Sequence, residues 1–284
     1  MALCRSSPAG SNGFTLIELL VTMSVSAVVV AFMALFITTP VDAYLAQTRR
    51  TELHKSEASA WESVSRDVRT ALPNSVRTLR NGSVVALEML TVLDWARYRD
   101  GTVMVTPAIQ LDLTAPDGAF RTTSHFLNVV LPASLVVEPL NADPYQTPNV
   151  MTPPGTVVGI GGSPTPGEDQ VSIAPAFRFT PGSPTHHVFL VSGPVNYLCD
   201  ETAGTLRRYV GYSIASNLAT RASDTQLTTA GATSALVAQN VTACSVGVSA
   251  GTAQHNQLVT LQVTFTQGGE SILLTQQARV VYQP

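Results

Sequence analysis

The chain has 284 residues, enough for one large domain or two modest ones with a real core. Charged residues make up only 12% and the formal net charge is −3, with Lys55 as the single lysine, which excludes a nucleic-acid binder with a basic face. The 19 glycines and 18 prolines are close to average usage and cluster mid-chain, while Thr, Ser, Val and Gln dominate the second half, a strand-like composition.

The first element is apolar. Phe14 to Ile37 carries one charge, Glu18. As a helix it spans roughly 36 Å, enough for a hydrocarbon core about 30 Å thick. Thr15, Thr22, Ser24 and Ser26 are tolerable there, since small hydroxyls bond back to the helix backbone. A cleaved secretory signal needs a basic start and a shorter apolar core. This run is too long for that, and the residues before it offer only Arg5. A plain signal anchor explains the length but not Glu18, because an acid in lipid costs about 2.5–3.5 kcal/mol at depth. Cleavage between Gly13 and Phe14 would create a partner. Phe14 would gain a cationic amine, with Glu18 about one helical turn away. A staggered neighbouring subunit could then pair its amine with this acid.

A helical period continues after Pro40, a residue that can kink the helix. Leu53, Ala60, Trp61, Val64, Val68 and Leu72 form one apolar stripe, and Glu52, Glu57, Glu62, Arg66 and Arg69 take the other faces. The helix is expected to end at Pro73 and to pack its stripe on a globular domain. Strand-length runs follow at 84–93, 102–106 and 125–131. Residues 141–184, rich in Pro, Gly, Asn and Thr, read as a long surface excursion with little regular structure. Residues 186–193, 195–200 and 206–214 read as successive antiparallel strands. Residues 258–266 alternate cleanly, and Gly268-Gly269 turns the chain into 271–282, a terminal hairpin. The whole is expected to be α+β: a long N-terminal helix, membrane-spanning in its first half, laid on antiparallel sheet. The expected organisation is a leader at 1–13, a membrane helix at 14–39, a further helical half at 40–73 and a β-rich domain at 74–284.

Gly13-Phe14-Thr15-Leu16-Ile17-Glu18 closely resembles the processing site of type IV prepilins and type II secretion pseudopilins. The resemblance implies a prepilin peptidase that cuts after Gly13 and methylates the amine of Phe14, with Glu18 assisting filament assembly. It implies a single-pass inner-membrane protein with a periplasmic C-terminal domain. The expected partners are other minor and major pilin-like subunits, the peptidase and an inner-membrane assembly platform, with no nucleic acid. A leader of 13 residues fits, though its one positive charge is sparse. The chain is longer than most major pilins, as a minor component would be. Residues 66–77, 86–99, 186–200, 206–212 and 236–246 resemble the MshO family of pilus biogenesis proteins, which serves the mannose-sensitive haemagglutinin (MSHA) pilus. Its members help to initiate or cap the filament. The J-type minor pseudopilins of type II secretion are the alternative, and PilW-like minor pilins come third.

Of the cysteines, Cys4 precedes the apolar segment, and Cys199 and Cys244 would lie together beyond the membrane, where thiols are oxidised. A Cys199–Cys244 disulfide is expected. Two buried free thiols are the alternative, which spacing alone leaves open. His186 and His187 read as edge or surface histidines pointing to opposite faces, unable to chelate a metal together. Gly159–Gly167 lacks the rest of a phosphate loop and reads as a plain loop. Asp200-Glu201 and 141–146 could bind calcium but lack EF-hand spacing, so no metal or cofactor is expected. Asn240-Val241-Thr242 fits a glycosylation acceptor pattern that a bacterial prepilin would rarely use. No G-x-S-x-G, HExxH or CxxC motif occurs, and the expected role is structural assembly, not catalysis. A membrane-anchored enzyme or binding protein is the competing class. It has no need of Gly13 or Glu18.

Overall fold

The computed structural model describes residues 13–99, 110–137, 143–180, 182–250 and 256–281. The run at 102–106 and most of the 1–13 leader lie outside these, as do 141 and 142. The chain divides into two compact units, Met1–Thr51 and Glu52–Pro284. One helix, α1 (Leu16–Arg69), supplies the first unit and opens the second. It runs through Pro40 without a break.

In the first unit the helix begins on a cap. The backbone N–H groups of Glu18 and Leu19 donate to the Thr15 carbonyl, each at 3.1 Å, and the Glu18 N–H also reaches the Thr15 hydroxyl at 3.4 Å. Thr15 to Glu18 therefore has the spacing of a capping box. Further along, the Thr22 hydroxyl donates to the Glu18 carbonyl at 2.9 Å and the Ser24 hydroxyl to the Val21 carbonyl at 2.9 Å. These back-bonds satisfy the hydroxyls inside the helix, as expected from the sequence.

In the second unit the expected stripe is buried. Leu53, Ala60, Val64, Val68 and Leu72 are sequestered, with Trp61 partly so. The helix stops at Arg69 rather than at Pro73, because the chain turns extended first. The Leu72 N–H donates to the Leu90 carbonyl at 2.8 Å and the Val92 N–H to the Thr70 carbonyl at 2.9 Å, so residues 70–72 pair with a strand before the proline is reached.

The main sheet is antiparallel and runs β1 (Arg77–Asn81), β2 (Val84–Arg97), β7 (His187–Asp200), β8 (Thr205–Val210), β9 (Thr233–Gln239), with β4 (Ser134–Val137) also on β7. A second sheet is β3 (Asp117–Arg121), β6 (Gln170–Phe177) and β5 (Val157–Ile160) in the order β3-β6-β5. The C-terminal sheet is β10 (Val241–Ser249), β11 (Leu258–Gln267) and β12 (Glu270–Arg279). A short helix, α2 (Asp224–Thr229), is capped by Ser223. The α+β class expected from the sequence is what the structure shows.

The main core lies between the α1 stripe, the main sheet and the C-terminal sheet. It joins Val64 and Val68 to Val85, Leu87, Met89, Val195 and Tyr197, and to Val259, Leu261, Val263 and Phe265. The alternating run of β11 thus buries the odd-numbered face predicted for it. The β11–β12 hairpin turns at Gly268-Gly269, both at positive φ, as glycine allows. On the opposite face of the main sheet Ala86, Leu198 and Tyr209 pack on Leu227 of α2.

Further sequence expectations are corrected. Residues 186–200 are not two strands but one, β7, paired along its length with β2. Gly193 and Pro194 look like a break, yet they sit at a bulge where register shifts near Thr91 and Val92 absorb the irregularity. There β7 also changes its other neighbour, from β8 at 196–200 to β4 at 188–191. Residues 125–131 are not a strand. Leu127 is 91% exposed, and its N–H and that of Asn128 both donate to the Asp94 carboxylate, which holds the segment as a loop. Residues 141–184 are not a bare excursion: they hold β5 and β6, and Val157, Val171, Ile173 and Phe179 form a core with Phe120 and Leu190. Finally, His187 is buried, not superficial. Its ring sits edge-on to Trp95 at 4.9 Å, and Nδ1 lies 2.9 Å from the Thr185 hydroxyl.

Two polar clamps cross this body. The Asp67 carboxylate of α1 accepts from the Tyr197 hydroxyl at 2.7 Å and from Arg208 Nε at 2.6 Å, pinning the helix to β7 and β8. Glu88, wholly buried on β2, accepts from Arg77 Nε at 2.6 Å and from the Tyr212 hydroxyl at 2.8 Å. Arg77 also donates to the carbonyls of Ala215 and Ser216 and lies 3.5 Å over the Tyr145 ring.

Cys199 of β7 and Cys244 of β10 form a disulfide, with Cα atoms 6.5 Å apart, which ties the main sheet to the C-terminal sheet. The same junction is held by Glu201, which accepts from the Cys244 N–H at 2.9 Å, and by Arg80, which pairs with Glu201 at 2.8 Å and donates to the Cys244 carbonyl. Replacing both cysteines by serine is expected to lower stability by about 4 kcal/mol, from the entropy of a loop closed across 45 positions. Denaturant unfolding of the detergent-solubilised chain, oxidised against doubly substituted, measures it.

Candidate processing and assembly site

The candidate site is the N-terminal end of the first unit. Gly13 precedes the helix in an open position. A methyl group built on its Cα would meet nothing within 4 Å. The fold of the chain itself therefore places no demand for glycine here, and the demand must come from whatever handles the Gly13–Phe14 bond. Phe14 follows, 78% exposed, and the capped helix starts two residues later.

Glu18 projects from the first turn. An acid there is favoured by the helix dipole. Among the described residues its carboxylate has no hydrogen-bond or ion-pair partner. The backbone N–H of Glu18, by contrast, is satisfied by Thr15. The sequence reading missed this capping role, although Thr-x-x-Glu before an apolar run is its signature.

The surface beyond Glu18 is uncovered. Leu16–Ala34 has a mean hydropathy of 2.3 and no part of it is buried within the chain. Leu16, Ile17, Met23, Phe32 and Phe36 are each more than 60% exposed. Burying one such side chain is worth about 1.5–3 kcal/mol. So long an uncovered apolar helix is stable only in lipid or against other apolar helices. Its composition and place near the N-terminus are those of a single membrane anchor.

The other sequence candidates are structural. His186 precedes β7 at positive φ with its ring against Tyr98, while the His187 ring lies against Trp95. Asp200 accepts from the N–H groups of Thr202 and Ala203, each at 2.9 Å, closing the β7–β8 turn, and Glu201 is engaged by Arg80 and Cys244. The Arg80 bond, then the Cys244 N–H, holds the Glu201 carboxyl below its ordinary pKa. Among the described residues no three His, Cys, Asp or Glu side chains are grouped to hold a metal. Of the expected loop at Gly159–Gly167, Gly159 and Ile160 belong instead to β5 and pair with Ser172 and Val171 of β6, and only the part from Gly161 on is loop, with Gly161, Gly162 and Gly167 at positive φ.

Residues 9–34 match the family model of the prokaryotic N-terminal methylation motif. That motif is the N-terminal processing signal of type IV pilin-like and pseudopilin proteins, and it indicates a chain of that kind. No curated protein and no solved structure matches the chain.

Proposed function

We propose that the chain is a minor pilin-like subunit that helps to initiate or cap a type IV pilus of the MSHA type, similar in role to MshO. Prepilin peptidase cuts between Gly13 and Phe14 and methylates the new amine. The helix stores the subunit in the inner membrane, with the chain from Pro40 onward in the periplasm. The chain acts by assembly, not by catalysis. The observation that carries the reading is the junction of Gly13-Phe14 with a capped, uncovered apolar helix whose one acid lacks a partner among the described residues. A body with its own core and a disulfide supports an oxidising compartment.

In this reading a neighbour's Phe14 amine meets Glu18. Glu18→Ala is therefore expected to be cut and methylated normally but to enter the filament poorly, by about tenfold if the pair contributes roughly 1.4 kcal/mol. Immunoblotting of sheared filaments against membrane stores measures this, and unchanged incorporation would refute the pairing. Co-purification separates pilus from secretion apparatus: MSHA-type minor pilins support the proposal, and type II pseudopilins would move the chain to that machine.

A further inference from the structure

Cys199 and Cys244 belong to different sheets and lie 45 positions apart. In the dithiol chain something other than their own bond must bring them together. Cys199 is fixed by its neighbours, since β7 pairs it with Val85 of β2 and with Leu206 of β8. Cys244 is placed differently. Its register partner on β11 is Val263, in its own small sheet. Its backbone polar groups are taken by side chains from the main-sheet side. The Cys244 N–H donates to Glu201 at 2.9 Å, and the Cys244 carbonyl accepts from Arg80.

These two side chains are themselves locked together and to the sheet. The Arg80 guanidinium donates to both Glu201 oxygens, at 2.8 and 3.3 Å. Glu201 follows β7 directly, two residues after Cys199, and its N–H donates to the Ser83 carbonyl of the β1–β2 turn at 3.0 Å. Arg80 lies on β1 and also donates to the Gly82 carbonyl at 3.2 Å. The charge on both partners strengthens the bonds they make to Cys244. None of these contacts passes through sulfur.

We propose that Arg80 and Glu201 are positioning residues for the Cys199–Cys244 bond: in the dithiol chain they hold β10 on the main sheet by the backbone of Cys244 and set the two thiols side by side for oxidation. Joining the thiols removes two protons and two electrons. One cysteine thiolate attacks a disulfide donor and releases one donor thiol, and the second cysteine displaces the other donor thiol from the mixed disulfide. The equilibrium of this exchange follows the effective concentration of one thiol at the other. The Arg80–Glu201 clip raises it, because the connection between the cysteines is already closed before the bond forms. The disulfide then locks a junction that the clip has built. This holds whether or not the chain is pilin-like.

The test equilibrates the detergent-solubilised full chain in anaerobic buffers of graded reduced and oxidised glutathione, quenches with N-ethylmaleimide and counts alkylated Cys199 and Cys244 by peptide mass, apart from Cys4. Glu201→Ala and Arg80→Ala are each expected to lower the equilibrium constant for the disulfide about tenfold or more. Glu201→Gln, which keeps an acceptor for the Cys244 N–H, is expected to recover part of it. Asp67→Ala, which weakens the body at α1 and leaves the junction alone, is expected to leave the constant unchanged. The unaltered chain, once reduced, is expected to keep its folded circular dichroism. An unchanged constant in both alanine variants of the clip overturns the proposal, as does an equal fall in Asp67→Ala or unfolding of the unaltered chain on reduction. Should Glu201→Ala fail to fold, Arg80→Ala decides, because the Arg80 side chain is 49% exposed and its loss leaves no cavity in the core.

Discussion

Gly13→Ala leaves a full-length precursor that still carries its first 13 residues. Nothing in the chain crowds the Gly13 Cα, and a methyl group there is accommodated freely. The substitution is therefore silent for folding, for the Thr15 cap and for membrane insertion. A peptidase that accepts only glycine before the cut is the agent that would notice it. The effect is all or nothing on processing, with the body unchanged. Intact-mass measurement of the tagged chain from a host with the peptidase reads it directly. Normal trimming of the variant would mean that glycine is incidental and that the segment is a plain anchor.

Glu88→Ala is expected to be the most destabilising single change in the body, at about 3–5 kcal/mol. Glu88 is wholly buried and neutralises Arg77, whose side chain is only 15% exposed. Removing the acid strands the guanidinium over the Tyr145 ring, with the Ala215 and Ser216 carbonyls as its remaining acceptors. It also takes the acceptor from the Tyr212 hydroxyl, whose pKa burial, and after it the Glu88 charge, pushes far above the ordinary tyrosine value. For a body of this size each kcal/mol lowers Tm by about 2–4 °C. Arg77→Ala in the Glu88→Ala background should recover part of the loss, since no buried charge is then left unpaired. Calorimetry of the single and double variants measures both terms. A Glu88→Ala melt indistinguishable from that of the unaltered chain would show that the network contributes nothing.

The parts of this molecule that periodicity governs were legible before the fold was seen. The α1 stripe recurs at helical spacing because one face meets one core. The β11 run alternates because its odd residues point at that same core and its even ones do not. The uncovered apolar helix was legible because so long an apolar run with one charge leaves little else for it to form. What escaped was set by contacts distant in sequence. β7 reads as broken at Gly193-Pro194, and only the matching bulge in β2 shows that the strand continues. The loop at 125–131 is as apolar as a strand, but a carboxylate on Asp94 captures its backbone. β5 and β6 hide among turn residues, since four to eight residues suffice to build a small sheet on Phe120 and Leu190. At the site itself, Gly13, Phe14 and Glu18 were legible as a motif. The Thr15 cap was overlooked because the acid drew attention to its charge rather than to its backbone N–H.

The central claim is that this chain matures at Phe14 and then assembles with pilin-like neighbours. The most direct test is mass spectrometry of the tagged chain from crosslinked native membranes. The account predicts a mature chain beginning at N-methylated Phe14, crosslinked to MSHA-type minor pilins. A chain that keeps its first 13 residues and yields no pilin-like partner would contradict it.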